Sequence, residues 1–196
     1  MRGGFFRPRP VPAARPAPEQ DRAERFRAVM LPHMDAAYTL ARYLTRDPGL
    51  AEDIVQEAFL RAWRGFDGWR GEAPKPWLLT IVRNCFLTHV TARRTGNQSL
   101  DDLAANPPPQ LVERDNPESL LADKSEAAML RATIEQLPEP FRETLVLREL
   151  EEMSYKDIAT ITRVPIGTVM SRLSRAREML GDLLLPPRSA AREARP

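Results

Sequence analysis

A single cysteine, Cys85, in 196 residues excludes an intramolecular disulfide. The chain has only two histidines, too few to build a metal centre easily. No apolar run approaches the ~20 residues that a membrane-spanning helix needs, so no membrane insertion of its own is expected. The N-terminal stretch contains arginine but no apolar segment, and does not read as a secretory signal. Net charge is only +2, so any nucleic-acid surface must come from local segregation of charge. A Gly-rich phosphate loop, a nucleophile elbow and a metal-ligand cluster are all missing from the pattern. No catalytic residue, metal site or cofactor is therefore assigned, and an enzyme is disfavoured. Cys85 and His89 stand four residues apart, but two ligands are too few, and a small buried thiol is the better reading.

What is present is helical period. Hydrophobic residues make up 42% of the chain, enough for folded cores. Residues 1–21 hold five prolines and read as a disordered basic arm. From Asp21, Phe26, Met30, Met34, Ala37, Ala41 and Leu44 form one stripe, with a kink or two abutting helices expected at Pro32. Asp47 and Pro48 suit the cap and first position of a helix over 48–64. Its apolar face runs from Leu50 through Ile54 and Ala58 to Ala62 and Trp63, leaving Asp53, Gln56, Glu57 and Leu60 largely outside. Those four are either an ordinary polar back or a docking surface. Residues 65–76 read as a loop displaying Phe66, Trp69, Arg70 and Lys75. Loop aromatics beside cations suit base stacking, or they simply cap the core. A third helix is expected over Trp77–Arg94. From Ala73 to Leu100 there is no acidic residue, which fits a phosphate-facing surface.

Residues 96–118 form an acidic, Pro-rich linker, too long for a connection inside one compact domain. The fold class expected is all-α: two small helical domains, 22–95 and 119–183, joined by a flexible linker and followed by a disordered tail, 184–196. In the second domain, Leu120, Ala127, Leu130, Ile134 and Leu137 form one stripe, and a helix from about Pro140 to Met153 has a mostly acidic surface, Glu143 and Glu151 included. A helix-turn-helix then occupies about 154–177. Ser154 and Asp157 form a capping-box pattern, and Pro165 opens the second helix. Ile166, Val169, Leu173, Ala176 and Leu180 form its buried stripe. Thr168, Ser171, Arg172, Arg175 and Arg177 lie elsewhere on it, and from Ile158 to Arg177 there are four arginines and no acidic residue. That helix can enter a DNA major groove.

These residues resemble a known family. Asp47–Trp63 (DPGLAEDIVQEAFLRAW) and Trp69–Asn84 (WRGEAPKPWLLTIVRN) look like region 2 of an extracytoplasmic-function (ECF) sigma factor of the sigma-70 family. Leu137–Ala159 (LPEPFRETLVLRELEEMSYKDIA) and Val164–Glu178 (VPIGTVMSRLSRARE) look like its region 4. The resemblance implies a bacterial promoter-specificity subunit, cytoplasmic and nucleoid-associated when active. It would bind core RNA polymerase through the largest-subunit clamp coiled coil and the flap, recognise the -10 and -35 promoter elements and help open the DNA. By position, Asp53, Gln56, Glu57 and Leu60 match the polymerase-docking helix. Trp69, Arg70, Lys75 and Trp77 match the part that captures a flipped -10 base. Arg83, Asn84, Arg93 and Arg94 match the helix facing the melted strand. Thr168, Ser171, Arg172 and Arg175 would face the -35 element, with Arg177 on a phosphate. The acidic linker matches the segment that threads the RNA path. An anti-sigma factor is a further partner implied by resemblance. Three departures are visible: Arg163 stands where the turn usually has glycine, Thr162 replaces an apolar residue, and the loop from Trp69 to Trp77 is about one residue shorter than the common spacing and stiffened by Pro74 and Pro76. A stand-alone helix-turn-helix regulator is the alternative reading.

Overall fold

The computed structural model describes residues 19–71, 73–95 and 119–184, with side chains over 19–71, 73–93 and 127–184. The expected arm, acidic linker and tail thus lie almost wholly outside the described residues. The described residues contain helices and no strand. The first domain is built from α1 (Glu19–Met30), α2 (Met34–Thr45), α3 (Pro48–Gly65) and α4 (Pro74–Thr95). The second comprises α5 (Ser119–Gln136), α6 (Glu139–Leu145), α7 (Tyr155–Thr162) and α8 (Ile166–Leu184). A π-helical turn, Val146–Leu150, extends α6.

Pro32 acts as expected, splitting one helix into two. A 3₁₀ turn over Leu31–His33 joins α1 to α2. Three residues wound at 3.0 per turn instead of 3.6 rotate the following helix by about 60°. This slip corrects the predicted stripe: Met34 is 44% exposed, while Leu40 is fully buried beside Ala37, Ala41 and Leu44. Asp47 caps α3 as anticipated, its carboxylate accepting from the Gly49 and Leu50 amides at 2.8 and 3.2 Å. The core of this domain joins aliphatic side chains to an aromatic cluster. Phe26 meets Phe59, Trp63 and Phe66 edge-on, with centroids 6.3, 5.2 and 5.2 Å away. Arg22 ties α1 down from outside: its guanidinium lies 4.0 Å over the Trp63 ring, donates to the Trp63 carbonyl and pairs with Asp67. Of the two loop aromatics, Phe66 is core, only 5% exposed.

The fourth helix starts at Pro74, three residues before the expected Trp77. Prolines in a first turn lose nothing by lacking an N–H, since those groups have no partner inside the helix. Lys75 is consequently a helix residue, not a loop residue.

In the second domain, α6, α7 and α8 pack around Leu145, Leu147, Ile158, Ile161, Val169, Leu173 and Ala176, all buried. The expected stripes are not buried throughout: Leu130 and Ile166 are each 43% exposed. Helix α6 and the π turn were expected to carry an acidic surface. Instead Arg142, Glu143 and Glu151 are 2%, 2% and 6% exposed. All three face the first domain, whose α2 and α4 pack against the second domain's α6 and α7. Arg142 is central here. It donates to Tyr43 O at 2.7 Å, and to the Glu135 and Leu137 carbonyls. One guanidinium thus serves the C-terminal ends of both α2 and α5, where helix dipoles favour positive charge. Burial pulls its pKa down to about 10, which leaves it charged at neutral pH.

Candidate nucleic-acid interface

The helix-turn-helix forms for local reasons. Ser154 Oγ accepts the Asp157 amide at 3.1 Å, one half of the capping box, and starts α7. Arg163 ends it in the left-handed region, φ 56° and ψ 43°. The turn therefore keeps the geometry that glycine usually supplies, and a side chain there costs about 1–2 kcal/mol. The other departure, Thr162, is buried and satisfied: its hydroxyl donates to Ile158 O at 2.6 Å. Pro165 stands one position earlier than expected. It caps α8, its carbonyl accepting the Thr168 and Val169 amides.

Helix α8 carries all five residues expected at the -35 element. Ser171, Arg175 and Arg177 are exposed; Thr168 and Arg172 are half-buried. They lie within ten residues, nine steps or about 14 Å of helix. Arg177 is paired with Glu149 at 2.6 Å, across an exposed surface. Such pairs are weak and exchange readily with solvent.

The residues expected at the -10 element fall into two groups. Arg70 and Arg93 are exposed, and Arg94 lies on α4 with its side chain outside the described part. The remaining five are half-buried. Trp69 is half-buried, stacked on Phe66 at 5.8 Å and tilted against Trp77 at 6.2 Å. Its indole Nε1 is buried without a hydrogen-bond partner. Asn84 is half-buried on α4. Lys75 and Arg83 are held by the second domain: Lys75 Nζ lies 2.9 Å from Glu151 Oε2, and Arg83 Nε 2.5 Å from Glu143 Oε1. These two contacts had no signal in the sequence, because each joins residues on separate domains.

Away from these surfaces, α3 presents Asp53, Gln56 and Leu60 on the wall of an open groove of about 830 Å³. Phe26, Val55, Phe59 and Trp63 also line it. Glu57 is not among the lining residues and instead pairs with Arg61 at 2.7 Å. Sequence reasoning missed Met34 and Tyr38, which line the groove from α2. The phase slip at Pro32 was the signal that places them there. Cys85 is buried and burial pushes its thiol pKa up. No group of three or more possible metal ligands occurs among the described residues. No described helix is long and apolar enough to cross a membrane.

This arrangement agrees with what the chain is similar to. Residues 30–95 match the family described as Sigma-70 region 2, and residues 127–180 match Sigma-70, region 4. The RNA polymerase sigma-H factor of Pseudomonas aeruginosa is 39% identical over 145 residues, covering 69% of this chain and 74% of the relative. The ECF RNA polymerase sigma-E factor of Escherichia coli is 36% identical over 156 residues, covering 76% and 81%. Among solved structures, the sigma factor RpoE of Bartonella quintana, in complex with the anti-sigma factor NepR, superposes with a TM-score of 0.69 at 30% identity. That match covers 84% of this chain and 99% of the other. A helical first domain, a helix-turn-helix second domain and these relatives lead to one conclusion: the chain belongs to the extracytoplasmic-function sigma factors of the sigma-70 family, the subunits through which RNA polymerase recognises promoters.

Proposed function

We propose a division of labour among the surfaces of this sigma factor. The groove beside α3, with Asp53, Gln56 and Leu60 on its wall and Glu57 at its edge, docks the clamp coiled coil of the largest polymerase subunit. Exposed Leu60, Met34 and Tyr38 give that groove an apolar rim, and Glu52 and Asp53 give it charge. The second domain reads the -35 element through α8. Arg172, Arg175 and the hydroxyls of Thr168 and Ser171 suit base edges, and Arg177 a phosphate. The first domain opens the -10 element. Arg70, Lys75, Arg83, Asn84, Arg93 and Arg94 track the strand, while Trp69 and Trp77 support a flipped base. The observation that carries this reading is the charge segregation on α8: exposed arginine, no acidic residue from Ile158 to Arg177, and a helix-turn-helix that holds it.

The chain is a regulator of initiation rather than a catalyst. It works in the cytoplasm, on the nucleoid when active, because its targets are polymerase and chromosomal DNA. The similar sigma factor RpoE of Bartonella quintana is complexed with an anti-sigma factor, which supports a partner of that kind here. Transcription in vitro with purified core polymerase tests the function. Promoter-specific transcripts are expected only when the protein is added. Tight specific DNA binding by the protein alone, with no effect on core polymerase, would favour the stand-alone regulator instead. Changing Arg175 to Ala should lower transcription from -35-dependent promoters selectively.

A further inference from the structure

The groove beside α3 carries charge of one sign. Three carboxylates line it, Asp35, Glu52 and Asp53, with no lysine, arginine or histidine among the described lining residues. Four aromatic side chains, Phe26, Tyr38, Phe59 and Trp63, form much of its wall. Met34, Tyr38 and Leu60 stand on it 44%, 36% and 46% exposed. Such a surface suits an extended segment that is cationic and carries apolar groups at short intervals.

The chain itself supplies such a segment. Residues 1–18 contain Arg2, Arg7, Arg9 and Arg15, no acidic residue, the pair Phe5-Phe6 and five prolines. Proline at this density favours the polyproline II conformation, which aromatic-lined grooves bind at little entropic cost because its backbone is already extended. Reach is ample. The arm joins α1 at Glu19, and Phe26, seven residues on and about 10 Å along the helix, already lines the groove. The thirteen steps from Phe6 to Glu19 span up to about 45 Å when extended. We propose that residues 5–18 double back along α1 into this groove. Phe5, Phe6 and the prolines lie on the aromatic wall, and Arg7, Arg9 and Arg15 face Asp35, Glu52 and Asp53. The groove is the one assigned above to the polymerase coiled coil, so the arm competes with polymerase. That consequence rests on the docking assignment, whereas the seating of the arm does not.

A covalent tether lets individually weak contacts fill the groove. It holds the arm at an effective concentration on the order of 1 mM, so an intrinsic dissociation constant about tenfold below that seats the arm in about nine chains of ten. Polymerase then binds the arm-seated chain about tenfold more weakly than one whose arm cannot seat. The arginine contacts are electrostatic and reach the groove's three carboxylates across solvent, so added salt loosens the arm.

The test uses the full chain carrying Phe5→Ala, Phe6→Ala, Arg7→Ala and Arg9→Ala, with carbon-13 in the methionine methyl groups. Met34 lies in the groove, and its methyl signal is assigned through Met34→Leu. Loss of the seated rings should move that signal and leave those of Met153 and Met170, in the second domain, in place. The same movement should persist on dilution, and the arm variant should bind core polymerase about tenfold more tightly. An unmoved Met34 signal overturns the proposal. Leu60→Ala, added to the arm variant, checks the docking assignment separately, because it should weaken polymerase binding whether or not an arm ever seats. A moved signal with unchanged polymerase affinity upholds the seated arm and overturns the sharing of the groove. Movement that fades on dilution gives the groove to the arm of a second copy and overturns the intramolecular seating.

Discussion

The two domains solve the problem of an interior differently. All the described side chains that are both buried and polar or charged lie in the second: Thr133, Arg142, Glu143, Thr144, Glu151 and Thr162. The buried residues of the first domain are hydrophobic, with Phe26 and Phe66 joined by half-buried tryptophans. A hydrophobic core needs no polar partner from outside. A core edge carrying Arg142, Glu143 and Glu151 needs an opposite surface to satisfy it. The first domain is therefore the self-sufficient body and the second is built to be completed, by its neighbour in this arrangement. The lesson is that buried charge in this protein marks an interface rather than a misplaced surface.

All three tryptophans, Trp63, Trp69 and Trp77, report on the first domain alone, which allows that contrast to be tested. The largest effect is expected at Phe26. Its replacement by Ala removes three edge-on ring contacts and should cost about 3–5 kcal/mol. In urea, the tryptophan fluorescence transition should then precede the loss of helical circular dichroism. Coincident transitions would show the domains unfolding as one body and would break the contrast. Next is Arg142→Met, which deprives three carbonyls of a charged donor. A loss of about 2–3 kcal/mol is expected. Here circular dichroism should shift first and fluorescence little, the reverse of Phe26→Ala. The smallest effect is a gain. Arg163→Gly removes a side chain from a left-handed position and should stabilise the second domain by about 1 kcal/mol, seen as a raised melting temperature.

Much of this was legible beforehand, where local chemistry decides. The Asp47 and Ser154 caps, the break at Pro32, the Ile158–Ala176 core of the helix-turn-helix and the basic face of α8 all follow from neighbours a few residues away. Arg163 is instructive in another way. A side chain disfavours the left-handed region, but two helices packed through Ile158, Ile161, Val169 and Leu173 hold the usual geometry against that local preference. Met34 was misplaced because a period read straight through Pro32 ignores the tighter winding of the turn. The interface was not legible at all. Lys75 and Glu151 are 76 residues apart, Arg83 and Glu143 60, Arg142 and Tyr43 99. Nothing near Glu143 distinguishes a glutamate that will be buried from one that will be solvated.

The π turn after α6 also has a consequence for how the length of the chain can vary. Glu143 and Glu151 are eight residues apart, which on a regular α-helix would set them about 80° out of line. The bulge, marked by the Glu151 amide reaching back to Val146 O, absorbs one residue of that count. Seven effective steps return within about 20° of two full turns, and both carboxylates look the same way. Loss of one residue between Val146 and Leu150 would iron out the bulge and keep that alignment. Gain of one would swing Glu151 through about 100° and away from Lys75. Insertions and deletions at this point are therefore unequal: the segment tolerates shortening and resists lengthening.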